Sequence, residues 1–461
     1  MSSSVLDPRS GVGSPSSRAL QPGLVNLSEI LSALSHALDL TEGQPAGHTI
    51  RSCIIGMRIA ESMGLEDDLR SALYFALLLK DAGCSSNAAR FAALFGTPDQ
   101  TVKREMKRVD WHKGIQMAMQ TARTVGIGAA WTTRLRHFVG IARTKHATRD
   151  LIQIRCDRGA GIALQLGFPT ATADAIRSLD EHWCGEGYPA GLSGEQIPLL
   201  SRIANIAQTV ELFCAMGGVD AVRRVVKERR GTWFDPHLAD EVLRWRRDDP
   251  FWDNLRDASA ARLVVACEPR DHVRRVDDSG LDLVARAFAD IIDAKSPYTF
   301  RHSSNVAEYA RGIGRVMGLD SAEQRRLYRA GLLHDIGKLG VSSGTLDKPG
   351  ALTNIERAEI EKHPAWTWEI LSRVSAFDDF AWLASVHHER LDASGYPWKL
   401  PGGDLDTPSR ILAVADVYEA LTADRPYREG MRREQALGIL RKEAGSKLCV
   451  CAVEGLEALL K

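Results

Sequence analysis

The adjacent residues His334 and Asp335 could offer an imidazole nitrogen and a carboxylate oxygen to one divalent cation. They end an apolar segment of helical character, Tyr328-Arg-Ala-Gly-Leu-Leu-His-Asp. A single His-Asp pair is weak support for a metal site, because a half-buried histidine paired with its neighbour is common. Further side chains of ligand type surround this pair in the sequence: His302, His363, His387, His388 and Asp416.

Together these seven residues supply five imidazoles and two carboxylates. That set is larger than one four-coordinate zinc ion can use. Two ions that share a bridging carboxylate would use the whole set and leave positions for water. Mixed imidazole and carboxylate ligands favour iron, manganese, zinc or nickel over calcium. The pattern therefore predicts a centre of two divalent metal ions.

The composition limits the other kinds of function. The chain has 461 residues, enough for two domains or more. Lys plus Arg and Asp plus Glu both total 59, so no overall field indicates a nucleic acid polymer or a membrane as partner. The eight cysteines are scattered, which is typical of reduced thiols, and no apolar run reaches the roughly 20 residues of a membrane span. We expect a cytoplasmic protein.

Helical periodicity dominates the chain. Residues 1–24 are rich in Ser, Gly and Pro, and we expect a disordered tail there. From Leu27 onward apolar residues recur at helical spacing, and alternating strand patterns with tight turns are nearly absent. The predicted fold class is all-α.

An internal repeat divides the chain into two copies of one helical unit. His48 precedes Lys80-Asp81-Ala-Gly by the same 32 residues that separate His302 from His334-Asp335-Ile-Gly. Gly187-Tyr-Pro and Gly395-Tyr-Pro are each followed by a Ser-Arg-Ile helix. We assign residues 25–240 to the first copy, with a helical insertion at about 100–148, residues 241–280 to a closing helix and linker, and 281–461 to the second copy. These are tandem bundles of one type.

The two copies differ at the residues that could bind metal. His334, His363, His387, His388 and Asp416 fall against Lys80, Arg155, Leu179, Asp180 and Gln208. Only His48 and Asp81 keep the second copy's residue. Lysine and arginine add positive charge and leucine has no donor atom, so these positions cannot hold a divalent ion. We predict a metal-free, degenerate first copy.

Several longer motifs accompany the metal-ligand pattern in residues 281–461. They are Ser296-Pro-Tyr-Thr-Phe-Arg-His302, His334-Asp-Ile-Gly-Lys338, Lys348-Pro-Gly-Ala-Leu-Thr353, Lys362-His363-Pro, His387-His-Glu-Arg-Leu-Asp-Ala-Ser-Gly-Tyr-Pro397, Ala415-Asp416-Val-Tyr and Arg425-Pro-Tyr-Arg428. These motifs resemble those of an HD-GYP domain, a branch of the HD-superfamily metal phosphohydrolases. The resemblance implies a helical bundle that hydrolyses cyclic di-GMP, or a related cyclic dinucleotide, to pGpG or GMP through a hydroxide that bridges two metals.

The resemblance also implies a role for each ligand. His302, His334, Asp335 and Asp416 would hold one ion, and Asp335 would bridge to a second ion held by His363, His387 and His388. Some relatives carry a third metal on a Glu four residues before the first His, but here that residue is Tyr298, which favours two ions. We expect iron or manganese ahead of zinc or nickel.

The substrate contacts follow from the same resemblance. Lys338, which acts with Asp335 in catalysis, would steady a phosphate, and Tyr396, Arg425 and Arg428 would contact the phosphate or guanine. Guanidinium groups suit both, because they fork onto phosphate oxygens and guanine edges. One departure from the usual Asp-Gly-x-Gly-Tyr-Pro pattern is Ala393, where a positive φ would cost about 1 kcal/mol. Another is Glu419, where Asp is common.

Two other functions remain open. The second copy could sense a cyclic dinucleotide without hydrolysing it, or it could hydrolyse a different phosphoester. The first copy could be a packing platform or a regulatory module, and the partner of the whole chain could be a second copy of itself or a signalling protein. In the insertion, Lys103, Arg104, Lys107 and Arg108 make a basic helix face, which we interpret as a solvated surface.

Overall fold

A computed structural model describes residues 24–110, 113–127, 130–143, 147–256, 260–424 and 429–461. The all-α prediction is confirmed: in these ranges the only sheet pairs Val25–Asn26 (β1) with Arg275–Val276 (β2), two residues each. The expected disordered tail lies outside the described residues except for Leu24. Arg425 and Arg428 also lie outside them.

The first half contains thirteen helices in the described residues. Their bounds are Leu27–Glu42 (α1), His48–Ser62 (α2), Asp67–Leu79 (α3), Ala88–Phe95 (α4), Asp99–Arg108 (α5), Gly114–Thr124 (α6), Trp131–Arg143 (α7), Ala147–Gln165 (α8), Thr170–Arg177 (α9), Leu199–Arg229 (α10), Pro236–Arg244 (α11), Phe251–Asn254 (α12) and Ala260–Ala266 (α13). The predicted insertion holds α5, α6 and α7. Gly217 and Gly218 interrupt α10, because their backbone angles are not helical.

The second half contains ten more helices in the described residues. Their bounds are Asp278–Asp293 (α14), His302–Val316 (α15), Ser321–Leu333 (α16), Ser343–Leu346 (α17), Asn354–Ile360 (α18), His363–Leu371 (α19), Ala381–Ser385 (α20), Thr407–Thr422 (α21), Arg433–Glu443 (α22) and Val450–Leu459 (α23). A 3-10 turn, Ile336–Gly340, follows the His-Asp pair.

Local sequence signals fix the ends of the helices that carry the candidate ligands. Asp320 and Glu323 form a capping box that starts α16, and this helix ends at Leu333, directly before His334. Asp406 caps α21 by accepting from the backbone N–H of Ser409, and Pro408 stands in its first turn. The site residues therefore lie at the ends of helices or on one face of a helix. Local sequence signals determine where these helices begin and end.

Corresponding helices pack in corresponding ways in the two halves. In the second half α15 lies against α16 and α21, and in the first half α2 lies against α3 and α10. Gly337 passes so close to His363 that an added Cβ would stand 2.0 Å from its carbonyl oxygen. Gly83 approaches the carbonyl oxygen of Arg155 in the same way, at 1.9 Å. These contacts pair residues that the repeat alignment matches.

The two halves share one hydrophobic core. A single cluster of buried apolar side chains runs from Leu27 in α1 to Leu456 in α23. Helix α1 packs on the turn Ile336–Gly340 and on α19, so the first half forms one wall beneath the candidate site. A smaller cluster around Phe91, Phe95 and Val102 packs the insertion. In the described part of the chain, no helix combines the length and apolar character needed to cross a bilayer.

Candidate metal centre

The structure brings all seven predicted ligands together, although they come from five separate segments. His302 is the first residue of α15, and His334 and Asp335 follow the end of α16. His363 is the first residue of α19, His387 and His388 follow α20, and Asp416 lies within α21. Except for the partly buried His388, these side chains are buried. A site assembled from helix ends is held by the packing of the whole bundle.

Asp335 lies between two groups of histidines. Its Oδ2 is 3.3 Å from Nε2 of His302 and 3.3 Å from Nε2 of His334. Its Oδ1 is 3.3 Å from Nε2 of His363 and 3.5 Å from Nε2 of His387. The potential ligand atoms of each group, with Asp335 in both, fall within 4.8 Å of one another. One carboxylate therefore faces both halves of the cluster, as a bridging ligand would.

Asp416 is the second carboxylate of the cluster. Its Oδ1 lies 3.6 Å from Nε2 of His302 and 3.7 Å from Nε2 of His334. Its Oδ2 lies 3.7 Å from Nδ1 of His388. The second predicted carboxylate thus also contacts both groups of histidines.

The outer ring nitrogens are held by the protein, which aims the inner ones at the centre. In His334, His363 and His387, Nδ1 lies 2.7 Å from the backbone carbonyl oxygen three residues earlier. An Nδ1–H that donates to these carbonyls leaves the Nε2 lone pair free to face inward. In His302 a carboxylate oxygen of Glu419 contacts Nδ1 in place of a backbone carbonyl and orients the ring in the same way.

Glu419 is the functional residue that the sequence reasoning missed. The sequence marks it only as a departure from the more common Asp. Glu211 stands three residues after Gln208, as Glu419 stands three after Asp416, and it contacts Nδ1 of His48 in the first half. The shared acid at matching positions was the signal that could have identified it.

The unpaired atoms of the cluster test whether a metal would fit. Among the described residues, Nε2 of His302, Nε2 of His334 and Oδ1 of Asp335 are buried without a hydrogen-bond partner. Buried polar atoms are nearly always paired, so inward-facing lone pairs of this kind require an occupant. Nε2 of His363 and Nε2 of His387 also converge to 3.3 Å. Donors of this type and arrangement suit divalent ions of the first transition series.

The electrostatics of the surrounding protein groups separate the histidines into two groups. Burial would lower the pKa of His334, but the carboxylates of Asp335 and Asp416 outweigh it and raise that pKa to about 10. Burial lowers the pKa of His387 to about 4. It also lowers the pKa of His388 well below its usual value, with the neighbouring His387 as a second cause. A bound metal would therefore have to displace a proton from His334, whereas burial favours the neutral form of His387 and His388.

The carboxylates stay ionised despite their burial. Burial opposes the charge of Asp335, but His334 and Lys338 hold its pKa well below the usual range. The Nζ of Lys338 lies 2.5 Å from Oδ2 of Asp335. The predicted phosphate-binding lysine therefore stands beside the predicted bridging ligand, at the edge of the cluster.

Tyr396 also reaches the centre, where its ring lies 4.6 Å from the ring of His388. The backbone around it is held by Glu389, whose carboxylate accepts from the N–H groups of Trp398, Lys399 and Leu400. Ala393 adopts φ 60°, so the positive φ does occur there, in spite of the Cβ. Arg425 and Arg428, the other predicted substrate contacts, lie outside the described residues.

In the first half, cationic side chains occupy the corresponding place. The Nζ of Lys80 contacts Asp81 and lies 3.2 Å from Nε2 of His48. Arg155 and Asp180, the counterparts of His363 and His388, contact each other. These ammonium and guanidinium groups already neutralise the carboxylates, which supports the prediction of a metal-free first copy. It stays a prediction, and Glu42, Asp81 and Cys84 also place potential ligand atoms within 4.8 Å of one another.

The interpretation of the basic helix face as a solvated surface is wrong for two of its four residues. The Nζ of Lys107 lies 2.7 Å from Glu42, and the Nζ of Lys103 lies 2.6 Å from the carbonyl oxygen of Cys84. Lys103 is only 6% exposed. Helix α5 turns this face inward because buried carboxylates in α1 and after α3 require counter-ions. Spacing along one helix could not reveal those partners.

Several known proteins resemble this chain in sequence. The HD domain family matches residues 100–238 and 286–448. The chain is 42% identical over 417 residues to 3'3'-cGAMP-specific phosphodiesterase 3 of Vibrio cholerae, and the match covers 90% of each chain. A cyclic di-GMP phosphodiesterase of Thermotoga maritima is 33% identical over 178 residues, which cover 37% of this chain and 48% of the relative.

A solved structure resembles the whole chain. The crystal structure of a cyclic GMP-AMP specific phosphodiesterase of V. cholerae (V-cGAP3) superposes with a TM-score of 0.65 at 36% identity. The match covers 95% of this chain and 98% of the crystal structure's chain. The similarity therefore includes both halves and the insertion.

Proposed function

The chain belongs to the HD domain family, and from that premise we propose that it is a metal-dependent phosphodiesterase of the HD-GYP type that hydrolyses cyclic dinucleotides. The position of Asp335 carries this proposal. One carboxylate faces the Nε2 atoms of two histidine groups, at 3.3 to 3.5 Å, in a site where other inward atoms lack partners. That arrangement supports a centre of two ions joined by one bridging ligand.

Each ligand has a place in the proposed centre. His302, His334 and Asp416 would hold one ion together with Asp335, and His363, His387 and His388 would hold the other. When bound, such ions activate water near neutral pH and neutralise charge on phosphate oxygens. Glu419 orients the ring of His302, and backbone carbonyls orient the rings of His334, His363 and His387.

The remaining side chains would bind and orient the substrate. The ammonium of Lys338 stands beside Asp335, and the side chain is 19% exposed, so it can turn toward a phosphate oxygen. Burial raises the pKa of Tyr396, which keeps its hydroxyl protonated and able to donate to phosphate or base. Arg425 and Arg428 complete the proposal as forked donors to phosphate or guanine.

Among cyclic dinucleotides we favour 3'3'-cGAMP over cyclic di-GMP. The relative that matches both halves of the chain is named as specific for 3'3'-cGAMP, whereas the cyclic di-GMP phosphodiesterase of T. maritima matches 37% of the chain. If both halves determine the substrate preference, the relative that matches both halves is the better guide to it. Cyclic di-GMP remains the second candidate, because relatives named for either dinucleotide match about a third of the chain.

The test is hydrolysis by anaerobically purified protein loaded with Fe(II) or Mn(II), with metal counted on the same sample. Both cyclic dinucleotides are supplied at equal concentration, and the products are separated into linear dinucleotide and mononucleotide. Turnover with about two metal ions per chain is expected. Two bound ions without turnover of either dinucleotide would contradict the proposal. Binding of the unhydrolysed ligand would then indicate a sensor, and a screen of other phosphoesters would follow.

A further inference from the structure

The carboxylate of Asp99 lies in the first half, is buried, and accepts hydrogen bonds from two groups of the second half. It is the first residue of α5 and is 0% exposed. The Nζ of Lys295 donates to its Oδ2 at 2.8 Å. The backbone N–H of Ser343 donates to its Oδ1 at 3.0 Å. Both oxygens of one side chain thus bind the other half of the molecule.

The two segments that Asp99 holds flank the candidate metal ligands. Lys295 begins the loop that leads to His302, whose backbone N–H donates to Thr299 at 3.0 Å. Ser343 begins α17, which follows the turn that starts after Asp335 and contains Lys338. The hydroxyl of Ser296 donates to Asp347 at 2.5 Å and joins the same two segments. A displacement at Asp99 would therefore reach both sides of Asp335.

A line of buried charges holds Asp99 from the side of the first half. The Nζ of Lys103 lies 3.8 Å from Oδ2 of Asp99 and 3.5 Å from Oε1 of Glu42. Glu42 contacts Lys107, whose Nζ is 3.6 Å from Asp81. The next residue along helix α5, Gln100, donates to the carbonyl oxygen of Val341 at 3.0 Å. Contacts with both halves of the molecule therefore hold the first residues of α5 in place.

The charge of Asp99 matters because Lys295 is 1% exposed. Burial lowers the pKa of Lys295, and the carboxylate of Asp99 is the main group that opposes this effect. Without that carboxylate, a buried ammonium loses its counter-ion, and such groups must lose a proton or move toward water. A movement of Lys295 toward water would shift the loop that carries His302.

We propose that Asp99 is a positioning residue for the metal centre: through its ion pair with Lys295 and its bond to Ser343, the first half of the chain fixes the two segments that carry the ligands. The inference rests on the proposed function only in treating these side chains as metal ligands. It gives the degenerate half a defined part in the chemistry of the other half. Asp99 itself touches neither the ligands nor the substrate.

The experiment compares Asp99→Asn with the wild type and with Asp235→Asn in the full chain. Asp235 is a matched control, because it is also a buried carboxylate in an ion pair, with Arg202 at 2.6 Å, within the first half. Mn(II) affinity is measured by calorimetry. Hydrogen exchange of residues 295–305 and 338–347 is measured in metal-free protein. Thermal unfolding shows whether each variant is folded.

Asp99→Asn should weaken Mn(II) binding about 10–100-fold and speed hydrogen exchange in both segments, with a matching fall in kcat. Asp235→Asn should leave affinity and exchange near the wild-type values. Wild-type affinity and exchange in a folded Asp99→Asn variant would overturn the proposal. If the wild type binds Mn(II) but hydrolyses no cyclic dinucleotide, the proposed function fails while this comparison still stands.

A second pair of variants covers the case in which Asp99→Asn does not fold. Lys295→Met removes the buried ammonium, and the double variant Lys295→Met, Asp99→Asn leaves neither charge. If Asp99 acts through Lys295, adding Asp99→Asn to Lys295→Met should change Mn(II) affinity by less than about threefold, because coupled residues are not additive. A further tenfold loss in the double variant would show that Asp99 does not act through Lys295, and would overturn that part of the proposal.

Discussion

A carboxylate oxygen of Glu419 contacts Nδ1 of His302, so the ring of His302 turns its Nε2 toward Asp335. Glu211 makes the same contact with His48 in the first half, where Lys80 stands in place of His334. The two halves therefore keep the residue that orients the first histidine, while only the second half keeps the histidines around it. The role of Glu419 can therefore be tested by comparing substitutions of Glu419 and of Glu211.

Glu419→Ala should lower the affinity of the chain for Mn(II) or Fe(II) about 10–100-fold, because the ring of His302 would lose the partner that fixes its orientation. Metal titration followed by calorimetry measures the effect. Glu211→Ala is the matched control, and its metal affinity should equal that of the wild type. An equal loss in both variants would place a metal in the first half as well.

Asp335→Ala should abolish bound metal and turnover together, because both histidine groups would lose their shared carboxylate. Elemental analysis and dinucleotide hydrolysis on one sample measure the result. Asp81→Ala changes the corresponding residue of the first half and should leave the metal content unchanged. Turnover retained by Asp335→Ala would disprove the assignment of the site.

Asp293 gives a prediction about pH. Both of its oxygens accept from the backbone N–H of Ser303 at 3.2 Å, and burial raises its pKa to about 6, from an ordinary value of 3.8. The folded chain therefore holds this proton more tightly than the unfolded chain, so stability falls as pH rises from about 4 to 6. The full cost is of order 3 kcal/mol above pH 6.

Asp293→Asn keeps an oxygen acceptor for Ser303 and removes the titration. In protein treated with a metal chelator, the melting temperature of the wild type should fall relative to Asp293→Asn as pH rises from 5 to 7.5. A difference between the two that stays constant over this range would show that Asp293 titrates near its ordinary pKa.

Ala393→Gly should raise the melting temperature, because Ala393 holds φ 60° and a Cβ in that region costs about 1 kcal/mol. Gly185 holds φ 85° at the matching position of the first half, two residues before Gly187. Gly185→Ala is thus the reverse substitution and should lower the melting temperature. Thermal unfolding of the two variants, beside the wild type, checks both signs.

The sequence predicted those features that local spacing determines. The helical class follows from periodicity, and the ligands follow from motifs such as His334-Asp335 whose neighbours in the chain are informative. The inward turn of Lys103 and Lys107 and the pairing of Asp99 with Lys295 were not predicted. Their partners lie far away in sequence, for example 196 residues between Asp99 and Lys295, and no pattern within one helix identifies them.

One apolar cluster runs from Leu27 to Leu456, so the two halves share one interior. Through this packing the first half stabilises the second, whether or not it carries out chemistry of its own. Losing it would expose the apolar wall that α1 covers beneath the turn Ile336–Gly340. The first half is therefore required to keep the second half soluble, even if it binds no metal of its own.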